Sequence, residues 1–226
     1  MIKIEKIAVM NFENAMRGAR NPLNSWARSD SYYDADGNFV MGDNDLTLAA
    51  RLSKAGSDHR KFLRQIIVSL DITAPLYWWK EFDTYKVGTT ANSTSTMHKL
   101  ASKPITLDCF EVDDLNSKTI REIETPTPTD FVTNLIWDLE ELRQKFLETN
   151  DKRYWKELVR WLPESWLQTR TVTMTYENLL SIGKQRRHHK LNEWSGKDDA
   201  TKPNMIAWMR TLPYAQEFIF YDEVAE

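Results

Sequence analysis

Leu52 to Leu100 reads LSKAGSDHRKFLRQIIVSLDITAPLYWWKEFDTYKVGTTANSTSTMHKL. The β-branched and apolar run Ile66, Ile67, Val68, Leu70, Ile72 predicts a buried strand, which Pro75 ends. Apolar residues at 76, 78, 79 and 82 then suit a helix from Leu76 to Phe82, and a proline at a first helical turn is tolerated. Tyr77, Trp78, Trp79, Phe82 and Tyr85 stand beside Lys80, Glu81, Asp83 and Lys86. Those polar groups would need partners if buried, so the stretch reads as the wall of a site rather than a core alone. Val87 to Thr96 carries Gly88 and is dense in hydroxyls, as a loop or a helix start would be. Thr89, Thr90, Asn92, Ser93, Thr94, Ser95 and Thr96 could surround an anionic ligand there. The same side chains could instead satisfy local backbone groups in a capping turn.

Outward from this stretch, residues 1 to 12 alternate charged and apolar side chains as a strand does, and Ala15 to Asp45 is loop-rich with a turn at Asp36-Gly37-Asn38. Asp45 to Ala55 suits a helix closed by Gly56. Leu115 to Glu124 is ambiguous, and the PTPT run at 126 to 129 is a connector ending near the cap candidates Thr129 and Asp130. Phe131 to Thr149 has helical spacing throughout, and a second helix covers about Lys152 to Trp161. Residues 165 to 175 form a strand or a helix-linking segment, and Tyr176 to Lys190 is helical. Trp194 to Pro203 is a polar insertion, and Met205 to Glu217 a last helix interrupted near Pro213.

The chain has 226 residues, 41% hydrophobic and 12% aromatic, enough to bury a core as one large domain or two small ones, and a single domain over 1–226 is the expectation. Thirty basic residues balance 33 acidic ones for a formal charge of −3. No global field therefore draws the chain to nucleic acid or to an anionic membrane, so no specific nucleic-acid binding is expected and any anion is held locally. The single cysteine, Cys109, excludes an intrachain disulfide and a cysteine-built zinc site. Asp108, Glu111, Asp113 and Asp114 around it disfavour a reactive thiolate. With no signal pattern and no apolar run of membrane-spanning length, the expected place is the cytoplasm.

Lys184 to Lys190, KQRRHHK, concentrates positive charge in a chain that is acidic overall. Guanidinium groups hold phosphate with two parallel bonds, although a charge run of this kind is usually a solvated helix face. Adjacent histidines diverge by about 100° on a helix, so no metal site is expected here. Seven glycines fall into none of the phosphate-loop spacings, and no GxSxG elbow occurs. A nucleotide would have to be held by side chains and helix ends.

In this order and separation the two constellations resemble the flavin-dependent thymidylate synthases. In that family a strand leads through an Ala-Pro step into an aromatic-rich helix, then an Arg-His-Arg triplet, a short loop and a signature of the form Ser-x-Asn-Glu-x-Ser-x-Arg-Tyr. Here the strand is IIVSLDI, the step Ala74-Pro75 and the helix LYWWKEF; the triplet falls on Thr84, Tyr85 and Lys86, and the signature on Ala91 to His98. Upstream, Lys54-Ala55-Gly56 resembles the Lys-His-Gly step, with Phe62-Leu63-Arg64-Gln65 at the strand start that follows it. Gly18-Ala19-Arg20-Asn21 resembles Ala-Ala-Arg-Val-Ser, and Arg186 with His189 or His188 matches a downstream Leu-Arg and histidine. The likeness spans roughly residues 15 to 220.

The resemblance implies an α+β fold with an antiparallel sheet and flanking helices. It implies a flavin, FAD, held by Arg64, Thr84, Tyr85, Lys86 and His189, and a pyrimidine nucleotide such as dUMP held by Arg20, Glu81, Asn92, Ser93, Ser95 and Arg186. Of these, Ser95 and Arg186 carry the catalytic roles, Ser95 as a positioning hydroxyl. It implies transfer of a one-carbon unit to C5 of the pyrimidine, with methylene-tetrahydrofolate as donor and NADPH as reductant, in a homo-oligomer, as a tetramer. Departures are equally legible: Thr84 and Tyr85 stand for Arg and His, Ser93 for Glu, Met97 for Arg, Glu81 for Gln, and Arg64 or Gln65 for a His. A protein on this fold that binds or sequesters a nucleotide without turnover is the alternative. A third reading places the nine tryptophans in a core and an oligomer interface of an interaction protein.

Overall fold

The computed structural model describes residues 2–113 and 128–223. The ambiguous segment 115–124 and residues 126–127 of the PTPT run lie outside the described residues. Along these residues the elements are β1 (Lys3–Met10), α1 (Phe12–Arg20), β2 (Tyr32–Tyr33), β3 (Phe39–Val40), α2 (Asp43–Lys54), β4 (Ile67–Pro75), α3 (Leu76–Phe82) and β5 (Thr90–Ser93). They continue as α4 (Thr96–Lys99), α5 (Pro128–Thr149), α6 (Lys152–Trp161), β6 (Leu167–Thr175), α7 (Tyr176–Arg186), α8 (Asn192–Ser195), α9 (Met205–Arg210) and α10 (Ala215–Phe218). One sheet has the strand order β1-β4-β6-β5, and β2 with β3 makes a separate antiparallel hairpin.

Two-residue periodicity builds β4. Val68, Leu70, Ile72 and Ala74 are buried, while Ser69, Asp71 and Thr73 take the other face. That second face bonds to β6: Ser69 to Thr173 at 2.7 Å, Asp71 accepting from Thr171 at 2.6 Å, and Thr73 to Thr169 at 2.7 Å. Each step forward along β4 is a step back along β6, so the two strands are antiparallel. Residues 165 to 175, open between strand and linker in sequence, are therefore this strand from Leu167 onward.

By its internal contacts the chain divides into two compact units, one of residues 73–84 and 92–170 and the other of residues 2–72, 85–91 and 171 onward. In the first, α3 supplies an aromatic core rather than the wall of a site. Trp78, Trp79 and Phe82 are buried, with Trp78 stacked on Phe82 at 5.3 Å and edge-on to Trp79 at 4.9 Å. The expected conflict with the charged neighbours does not arise. Trp79 donates its indole N–H to the Gln168 carbonyl at 2.9 Å, and Lys80 turns outward to Glu164 at 2.5 Å. Leu139 of α5 and Leu158 of α6 close a second cluster over Leu100, Ile105 and Phe110.

The second unit holds a ring cluster in which Phe12 is edge-on to Tyr176 at 5.6 Å and to Tyr214 at 5.5 Å. Tyr176 donates to the Pro213 carbonyl at 2.9 Å, and burial, with the nearby Tyr214, pushes its hydroxyl pKa well above the ordinary value. Several boundaries differ from the sequence expectation, and α5 begins at Pro128, so the cap candidates Thr129 and Asp130 lie inside the helix rather than at its cap. The loop-rich reading from Ala15 is corrected by α1: Asn11 adopts φ 76° and turns the chain directly out of β1, and Phe12, Ala15, Met16 and Arg20 are buried at helical spacing. Helix α7 stops at Arg186, four residues early, where a turn returns the His189 N–H to the Arg186 carbonyl at 3.1 Å.

Candidate functional site

In the second unit, β6 runs without a linker into α7 because Thr175 caps the helix. Its hydroxyl accepts from the Asn178 N–H at 3.3 Å, and Asn178 accepts the Thr175 N–H in return at 3.0 Å. This cap lines a cleft of about 690 Å³ with Arg60, Arg64, Gly88, Lys184 and Gln185 among its other walls. Gly88 has φ +78°, and a Cβ there would stand 3.0 Å from Asn178 Oδ1, so the chain passes closer than another residue would allow. Asn178 also donates to the Val87 carbonyl at 2.6 Å, tying the 85–91 segment to the helix start. Glu177 receives both Arg60, at 3.2 Å, and Arg64. Arg64 further donates to the Ser57 carbonyl at 2.9 Å, and Lys184 donates to the Tyr221 hydroxyl at 2.8 Å. Three cations against one carboxylate leave the cleft with an excess of two positive charges.

Beyond the helix end, the same unit assembles Tyr85, Arg186 and His189 around the fully buried Trp194. Arg186 donates from Nε to the Tyr85 hydroxyl at 2.9 Å, and that hydroxyl donates to Gln185 at 3.0 Å. The guanidinium carbon lies 5.2 Å from the Trp194 ring centroid and 5.6 Å from that of Tyr85, within cation–π range. His189 stands edge-on to Trp194 at 6.3 Å, and its Nδ1 accepts the Leu191 N–H at 3.2 Å, which places the imidazole proton on Nε2. The charge run thus resolves into separate commitments. Arg187 pairs with Asp222 at 2.9 Å and Glu223 at 3.2 Å, while Arg186 packs between rings.

Arg20, also in this unit, is buried. Its Nε meets Asp45 at 2.5 Å and it donates to the Ser25 carbonyl at 3.2 Å, while Ser29 and Ser31 donate their hydroxyls to the other Asp45 oxygen at 2.6 and 2.5 Å. Burial pushes the Asp45 carboxyl pKa up, but the bonds from Ser29, Ser31 and Arg20 outweigh it and hold the group below its ordinary value. Lys86 is exposed on the 85–91 segment.

In the first unit, Asn92 and Ser93 are exposed at the end of β5, and Ser95 caps α4 by accepting the His98 N–H at 3.1 Å. The capping-turn reading of this segment therefore holds for Ser95. Ser95 also lines a cleft of about 490 Å³ with Thr94, Thr96, Lys99, Cys109 and Trp166. Thr84 donates to the Glu81 carbonyl at 2.8 Å and ends α3. Glu81 is half-buried on that helix. The predicted residues thus gather as two sets, Tyr85, Arg186 and His189 in one unit and Asn92, Ser93 and Ser95 in the other.

Sequence reasoning passed over Arg60, Asn178 and Trp194 in the second unit and Arg170 in the first. Arg170 lies 4.2 Å over the Trp79 ring and donates to Asp83 at 2.7 Å and Gln168 at 2.9 Å. The one signal for Trp194 was a bulky ring inside a segment otherwise polar; the Arg170–Asp83 pair spans 87 positions and leaves no local signal.

No protein-family model matches the sequence, and no curated protein matches it. Solved structures do. The flavin-dependent thymidylate synthase ThyX of Helicobacter pylori, in complex with FAD and dUMP, aligns over 97% of this chain and 98% of its own with a TM-score of 0.63 at 17% identity. The UMP/dUMP methylase PolB of Streptomyces cacaoi, bound with 5-Br dUMP, aligns over 98% and 95% with a TM-score of 0.62 at 14% identity. The chain therefore has the α+β, antiparallel-sheet fold of the flavin-dependent thymidylate synthases, on a sequence far diverged from theirs.

Proposed function

We propose that the chain is a flavin-dependent enzyme that transfers a one-carbon unit to C5 of dUMP or a related pyrimidine nucleotide. The observation that carries this reading is the cationic cleft at the Thr175 cap, on a fold whose solved members hold FAD and dUMP. Its donor set fits a cofactor bearing a pyrophosphate: Arg60, Arg64 and Lys184 supply charge, and Gly88 and the helix start let backbone approach. Arg64, Tyr85, Lys86 and His189 would hold the flavin, whose bound reduced form supplies the electron pair while methylene-tetrahydrofolate supplies the carbon and NADPH the reducing equivalents. Ser95, Asn92 and Ser93, with Glu81, position the nucleotide from the hydroxyl-rich segment of the first unit. The Tyr85 and Trp194 rings fix the Arg186 guanidinium in direction, which suits a residue that orients an anion. Assembly as a homotetramer belongs to the same reading.

The test is direct. The purified protein takes up FAD with a flavin absorption spectrum, and with dUMP, donor and reductant it yields a nucleotide heavier by one methyl group in mass spectrometry. Arg64→Ala weakens FAD about ten- to a hundredfold, the cost of one charge-assisted hydrogen bond. A colourless protein that leaves dUMP unchanged and a monomer by light scattering would overturn the proposal. One observation favours nucleotide binding without turnover: the Tyr85 hydroxyl, standing for the family's histidine, is committed to Arg186 and Gln185. Saturable dUMP binding in calorimetry with no flavin uptake would establish that reading instead.

A further inference from the structure

A separate cavity of about 350 Å³ in the second unit shares no lining residue with the cationic cleft. It lies between α1 and the β2–β3 hairpin, at the small end of the size range of ligand pockets. Its walls are aromatic and open to solvent: Trp26 is 50% exposed, and Tyr32 and Tyr33 are each 57% exposed. Rings this exposed are ordinarily mobile, yet two of these are held. Trp26 donates its indole N–H to Asn21 at 2.9 Å, and Tyr33 donates its hydroxyl to Glu13 at 2.7 Å. Phe39 braces Tyr33 edge-on at 5.6 Å.

Arg20 lies at this cavity with its side chain 5% exposed. Two of its nitrogens are committed, Nε to Asp45 and Nη1 to Ser25, while Nη2 has no hydrogen bond among the described residues. Arg17 also lines the cavity and makes one side-chain bond, to the neutral Asn14 at 2.7 Å. The cavity therefore combines guanidinium donors with aromatic rings in one lining. Charge is nearly balanced, since Glu13 and Asp45 offset Arg17 and Arg20, so a net anion gains little here. A flat ring with two adjacent acceptors on its edge gains from both features.

We propose that this cavity binds a purine of the guanine type, its ring stacked among Trp26, Tyr32 and Tyr33 and its O6/N7 edge toward the arginines. Guanidinium donors match that edge, whereas adenine places an amino donor where guanine has O6. Base stacking on aromatic side chains tolerates any base, so the preference comes from the arginines.

The test uses the full-length protein and titrates GMP, AMP and UMP with tryptophan fluorescence and calorimetry, with and without saturating FAD, alongside a G-containing single-stranded oligonucleotide. GMP binds saturably and at least tenfold more tightly than AMP, whether or not FAD is present. Trp26→Ala weakens GMP about tenfold or more, and Arg17→Ala removes most of the GMP preference, while both variants keep the wild-type melting temperature. Tighter binding of the oligonucleotide than of GMP would assign the same site to guanine within a strand; equal or weaker binding assigns it to the free nucleotide. The proposal is overturned by absence of purine binding at millimolar concentration, by competition between GMP and FAD, or by unchanged affinity in both variants. Loss of self-association in Trp26→Ala, read by light scattering, overturns it too, because the rings would then belong to a subunit interface.

Discussion

Asp45 receives four bonds, from the Arg20 guanidinium, the Ser29 and Ser31 hydroxyls and the Ser31 N–H, and none of its surface reaches solvent. Removing the carboxylate would leave the Arg20 charge buried without its counter-ion, which costs about 3–5 kcal/mol. Asp45→Ala is therefore expected to lower the urea midpoint strongly, while Ser29→Ala, which removes one of several donors, costs about 1 kcal/mol. The pH dependence follows from the depressed carboxyl. Its contribution is present above the pKa the unfolded chain would have and is lost as pH falls through the lower folded value. At Gly88 the argument is steric. Gly88→Ala forces a side chain into a left-handed backbone and against Asn178, so a loss of about 1–2 kcal/mol is expected in thermal melts, and the proposed function adds weaker FAD uptake.

Helix α5 is anchored by one carboxylate. Glu140 accepts from Arg143 at 2.6 Å, from the Ile105 N–H at 2.8 Å and from Gln144 at 2.7 Å. The Arg143 bond is the chief reason that its pKa is held down to about 2, from an ordinary 4.5. Its stabilising contribution is complete above about pH 4.5 and disappears as pH falls toward 2, so Glu140→Gln should flatten the acid limb of an unfolding curve followed by circular dichroism. At the other key helix, Thr175→Ala opens the α7 cap and is expected to cost about 0.5–2 kcal/mol. Elements with a strong period are legible in the sequence itself: β4, α3, α5 and α6 come where the apolar spacing puts them. Helix α1 is hidden there because Asn14 and Gly18 dilute its composition, although Phe12, Ala15 and Met16 keep the spacing. The end of α7 is hidden because basic residues suit a helix terminus and a solvated helix face equally. The resemblance picks out Tyr85, Arg186 and His189, which fold together. Trp194, which holds them, comes from a segment that reads as polar, and Arg170 reaches Asp83 only through folding.

For the chain as a whole, the near balance of 30 basic and 33 acidic residues sets solution behaviour rather than fold. With an isoelectric point near 5.9, solubility should pass through a minimum close to that pH and recover on either side, a trend that turbidity at fixed protein concentration would check. No helix of the described residues is long and apolar enough to cross a membrane. The aromatic content is divided: Trp78, Trp79 and Trp194 are sealed inside, while Trp26, Trp137 and Trp161 keep half or more of their surface outside. One further feature gives the molecule a practical property. Cys109, the only thiol of the chain, is half-buried on the wall of the cleft that Ser95 and Trp166 also line. A thiol-reactive dye has a single point of attachment on the chain, slow to react among acidic neighbours, beside the residues proposed to hold the nucleotide. The unmodified sequence thus comes with its own address for a fluorescent reporter, able to follow occupancy in real time without any engineered cysteine.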